Sequence, residues 1–71
     1  MPLKQSIGNV LREIRVEKGL SLSDISESTG RSRGNLSDME TQGIGLTIEM
    51  VESICDALGV KVSTVVRRAE K

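Results

Sequence analysis

Between positions 31 and 41 the chain places Arg31, Ser32, Arg33, Gly34, Ser37, Asp38 and Thr41, and each side chain among them is charged or forms hydrogen bonds. A guanidinium such as that of Arg33 offers two parallel donors, which match O6 and N7 on the major-groove edge of guanine. Arg31 is better suited to phosphate, and the hydroxyls of Ser32 and Ser37 can donate to phosphate or to a base edge. Asp38 repels phosphate but can accept from the N4 amine of cytosine, so it would discriminate between bases without adding general affinity. No comparable set exists for breaking bonds. The chain has no His and a single Cys, and it shows neither metal-ligand spacing nor a phosphate-cradling glycine loop. Cys55 lies in the apolar stripe of Val51, Ile54 and Leu58, the placement of a core thiol and not of a nucleophile. These residues imply recognition, with no enzymatic activity, cofactor or metal.

Helices must position these groups, and the apolar spacing predicts five short ones and no sheet, an all-α fold. Ile7, Val10, Leu11 and Ile14 recur at the spacing of one helical stripe, and Gly19 ends that segment. Ser21, with Asp24 three positions on, forms a capping-box-like start for a helix over about 22–29, which Gly30 closes. Ser32 is the next cap, for a helix over about 33–41. Gly30 and Arg31 therefore make a tight turn between two short helices, the outline of a helix-turn-helix. On the second helix Leu36 and Met39 share a side, and Arg33, Gly34, Ser37, Asp38 and Thr41 take the opposite arc. Asn35 falls partly toward the core side. Thr47 caps a fourth helix ending at Gly59, and Ser63 caps a fifth that carries Val65, Val66 and Ala69. Gly34, near a helix start, costs about 1 kcal/mol of helix propensity relative to alanine, and close approach of the backbone to DNA would be a return for it.

At 71 residues the chain is expected to form one domain over 1–71, with the motif at about 21–41. Aromatic residues are absent, which excludes modules that stack bases on exposed rings. Ten basic and ten acidic residues cancel, so attraction to nucleic acid must come from local charge. A lone Cys fits a reducing compartment, and no apolar run is long enough to span a membrane, so the expected location is cytoplasmic.

From Ile7 onward the sequence resembles the Cro/C1-type helix-turn-helix domains of the lambda-repressor-like fold. The residues that carry the resemblance are IGNVLREIRVEKGLS (7–21), STGRSRGNLSDME (28–40) and DALGVKVSTVV (56–66), in the family's order and spacing. The resemblance implies a DNA-binding transcriptional regulator, a repressor acting as a homodimer on double-stranded DNA, with its second motif helix in the major groove. It carries over to Ser21, Arg31, Ser32, Arg33, Gly34, Ser37, Asp38 and Thr41 as the DNA face. It also implies a structural ion pair between Arg15, near the end of the first helix, and Glu40, at the end of the recognition helix. Two departures stand out. Leu22 occupies the place of a glutamine common in the family, and the loop Gln42–Leu46 supplies no cation for phosphate.

A domain this small would dimerise through its own surface, for which the region of about 44–71 is the candidate, with Ile44, Leu46, Val62 and Val66 at the interface. The neutral charge and the uncharged loop also suit an alternative, a protein-interaction module (antitoxin-like or anti-activator) that keeps the fold but binds a protein partner.

Overall fold

Free N–H groups at a helix start need an acceptor, and three side chains supply one in the computed structural model, which describes residues 2–71. Ser21 accepts from the Asp24 N–H, Ser32 from the Asn35 N–H and Thr47 from the Met50 N–H. These start α2 (Leu22–Thr29), α3 (Arg33–Gln42) and α4 (Ile48–Leu58), which follow α1 (Leu3–Glu17) and precede α5 (Val62–Ala69). No strand occurs among the described residues. Ser63 is not the cap of α5: that helix begins at Val62 with Lys61 at its cap, two residues earlier, and has no side-chain hydrogen bond there.

The helices bury one shared core of aliphatic side chains. α1 packs on α3 and α5, while α2 packs on α3 and α4. Leu11, Ile25, Leu36, Ile54, Cys55 and Val65 are its most enclosed members. Each side chain of this kind contributes roughly 1.5–3 kcal/mol when fully buried, so this cluster drives folding of a chain with no aromatic ring.

Two expectations about burial change. Leu46 is only 4% exposed and belongs to the core, so it is not free to form a dimer interface. Backbone bonds from the Leu46 N–H to Gly43 O and from the Thr47 N–H to Gly45 O turn the α3–α4 loop inward there. Asn35, in contrast, is exposed and not turned toward the core.

Candidate nucleic-acid interface

The polar arc of α3 exists because Leu36, Met39 and Glu40 take the buried side of the helix. Arg31, Ser32, Arg33, Gly34, Asp38 and Thr41 are exposed, and Ser37 is half-buried at the edge of the arc. Ser21 is exposed at the start of α2 and belongs to a complete capping box. Its backbone N–H, and next its hydroxyl, hold the Asp24 carboxyl below the ordinary aspartate range.

Several of these groups are already engaged within the chain. Thr41 donates its hydroxyl proton to Ser37 O at 2.8 Å, which leaves it only acceptor capacity toward a ligand. Ser32 holds its cap bond, with its hydroxyl proton still available. Arg31 is fixed at its backbone, where its N–H donates to Thr29 Oγ1 and its carbonyl accepts from Ser26 Oγ, while its side chain remains in solvent. Arg33 Nη1 lies 3.5 Å from Ser23 Oγ, so the guanidinium leans back along α2. Ser23 escaped sequence reasoning because it lies ten positions away on another helix.

Arg15 and Glu40 meet as a two-pronged pair. Arg15 Nε donates to Glu40 Oε2 at 2.8 Å and Nη2 to Oε1 at 3.1 Å, with Glu40 almost fully buried. The third prong, Nη1, donates to Leu20 O at 2.8 Å and ties the pair to the chain segment entering α2. One guanidinium thus joins α1, the start of the motif and the end of α3.

Two glycines add to this clamp, and neither was a sequence-level candidate. A Cβ on Gly8 would sit 2.0 Å from Met39 O, so α1 and α3 touch backbone to backbone. Gly43, at φ +72°, ends α3 against the backbone of Lys4 and Gln5. Gln5 Nε2 also reaches Thr41 O at 3.4 Å. The signal available for Gly8 was its place inside an apolar stripe far from any helix end, where a glycine weakens the helix.

Farther away, Cys55 is enclosed in the core, and burial, then the charge of Asp56, push its thiol pKa up. Enclosure and a raised pKa both disfavour the thiolate, which fits a core thiol and not a nucleophile. Ile44 is 57% and Ile48 72% exposed, whereas Val62 and Val66 are half-buried. Val65, within the same late segment, belongs to the core. No helix among the described residues is long and apolar enough to cross a membrane.

Known proteins share this fold. The chain is 33% identical over 63 residues to the transcriptional regulator ClgR of two Mycobacterium tuberculosis strains, a match covering 89% of this chain. It spans 56% of the length of those curated relatives. The crystal structure of the clp gene regulator ClgR from C. glutamicum superposes with a TM-score of 0.93 at 33% identity, over 99% of this chain and 91% of that one. A mutant of the restriction-modification controller protein C.Esp1396I matches with a TM-score of 0.81 at 26% identity, over 97% of each chain. The sequence pattern of the helix-turn-helix domain family runs through residues 6–69, and with α2, the turn at Gly30 and α3 arranged as that name requires, this chain belongs to the helix-turn-helix domain family.

Proposed function

We propose that this chain is a sequence-specific DNA-binding transcriptional regulator, a repressor that acts as a homodimer on a roughly palindromic operator. The observation that carries the reading is the exposed polar arc of α3, held at a set angle by the Arg15–Glu40 pair. In this reading α3 enters the major groove. Arg33 takes guanine, Asp38 accepts from a cytosine amine, and Arg31, Ser32 and Ser21 contact the phosphates on either side. Ser37 and Thr41 continue the same face. The regulators named among its relatives support the transcriptional role.

One recognition helix that carries Arg33, with Arg31 just before it, gives little affinity at cellular salt, which favours pairing two copies. A two-fold axis would set the two α3 helices about 34 Å apart, one turn of DNA. With Leu46 in the core, the interface in this reading draws on Ile44, Val62 and Val66, within a single domain whose dimerising part lies in 44–71. The exposed Ile44 and Ile48 also suit a protein partner, and for that role a second copy of this chain is the proposed occupant. Catalysis has no place in the reading, and the protein acts in the cytoplasm, where bacterial-type regulators meet DNA.

The test is selection from a randomised duplex pool at physiological salt, followed by Arg33→Ala on the selected sequence. The wild-type chain enriches a two-fold related site. Arg33→Ala loses preference at one base position per half-site, at a cost of about 1–3 kcal/mol. A pool left unenriched, together with recovery of a stable complex with a different protein, would transfer the role to protein binding.

A further inference from the structure

The chain has seven glycines, and six of them do something inside the molecule. Gly19, Gly30, Gly43, Gly45 and Gly59 all have positive φ, the left-handed conformation that a side chain disfavours. Gly8 admits the α3 backbone at a distance no Cβ could tolerate. Gly34 has neither reason. It is the second residue of α3, in ordinary helical conformation, with nothing within 4 Å of where its Cβ would lie. An alanine there would fit the folded chain and favour the helix. Nothing inside the chain therefore calls for a glycine at this position.

Position 34 shares its face with Ser37 and Asp38, three and four residues on, and directly follows Arg33. The side chains around it are hydrogen-bonding groups. Among groups on the major-groove edges of the bases, only the thymine 5-methyl projects without forming a hydrogen bond, so it needs an uncrowded, apolar neighbour. Thr41 also carries a methyl, but it stands at the far end of α3, whereas base contacts of such a helix concentrate in its N-terminal residues. Gly34 alone in the first turn offers both space and a bare Cα–H surface.

We propose that Gly34 is a specificity-determining residue whose missing side chain leaves a hollow for a thymine 5-methyl group of the operator. The inference rests on the DNA-binding reading and adds to it one base identity and the mode of contact. Stability and affinity then respond to the same substitution in opposite directions. Gly34→Ala should raise Tm by a few degrees, because the helix gains and nothing clashes. On a duplex selected by the wild-type chain, the variant should bind roughly tenfold more weakly for each half-site, the scale of one mismatched base pair.

The decisive arm replaces each thymine of that duplex in turn, together with its two-fold mate in the other half-site, with deoxyuridine, which removes only the methyls. At one position per half-site the replacement should restore most of the affinity of Gly34→Ala while leaving the wild type no tighter. A variant that binds the selected duplex as tightly as the wild type overturns the inference, as does a loss that no two-fold related pair of methyl deletions relieves. Failure of the wild-type chain to select any sequence is a separate outcome, and it removes the DNA-binding reading itself.

Discussion

Glycine substitutions at two positions of the same small fold should move stability in opposite directions, and the cause is local geometry. At Gly34 an added methyl meets open space, whereas at Gly8 it meets a carbonyl oxygen of the neighbouring helix. Backbone cannot rotate away as a flexible side chain can, so α1 and α3 must separate. Alanine's helix preference returns about 1 kcal/mol, but overpacking of a tight contact costs 1–3 kcal/mol and sometimes more. With the carbonyl so close the cost falls at the upper end, so we expect Gly8→Ala to be destabilised by about 2 kcal/mol net in urea denaturation. Stability equal to that of the wild type would mean that the two helices have slack at this contact. Gly8 and Arg15 lie two turns apart on α1 and face the same neighbour, so contact and ion pair act on one helix interface.

At the scale of the element, α3 is a weak helix held by its surroundings. Its first turn contains Gly34, its body contains Ser37 and Asp38, and only Leu36, Met39 and Glu40 are buried. Tertiary packing, and not intrinsic propensity, therefore fixes it. Glu40 is the most exacting of these contacts because its carboxylate is enclosed and engaged by two guanidinium nitrogens. Replacing such a pair with apolar groups can be neutral, but removing one partner strands a charge out of water. Glu40→Ala should cost about 3 kcal/mol, a large share of the total for a domain this small, because Arg15 retains only its bond to Leu20 O. A double-mutant cycle with Arg15→Ala checks this. Strong coupling is expected, and additive losses would show that the two side chains act independently.

For the whole molecule the zero net charge matters most. It gives no long-range attraction to a polyanion, so affinity must come from placement and from the number of recognition helices. The expected state is a dimer in sedimentation equilibrium. Ile44→Glu, at an exposed site outside the core, should weaken dimers and DNA binding together while the helical circular dichroism signal stays unchanged. A wild-type chain that remains monomeric at high micromolar concentration, yet binds its selected duplex tightly, would exclude the dimer and the role given to Ile44.

The features legible in the sequence were those decided within a few residues. Ser21 with Asp24, Ser32 and Thr47 marked helix starts because a cap bond joins positions three apart, and Gly30 and Gly59 marked helix ends. The split of α3 into a buried side and a polar arc followed from its helical period. Cys55 was placed in the core by the stripe around it. Features that depend on how distant segments approach one another were not legible. Leu46 lies in a loop, where no period separates inward from outward, and only the fold of the α3–α4 connection buries it. Val65 and Val66 are adjacent valines in the sequence, and packing on α1 makes one a core residue and leaves the other half-buried. Gly8 and Gly34 are both glycines inside helices, one on an apolar stripe and one on a polar arc, and neither placement gives the cost of an added Cβ. Only the tertiary structure separated them, because a Cβ's cost is set by the atoms it would meet, and those belong to another part of the chain or to no part of it.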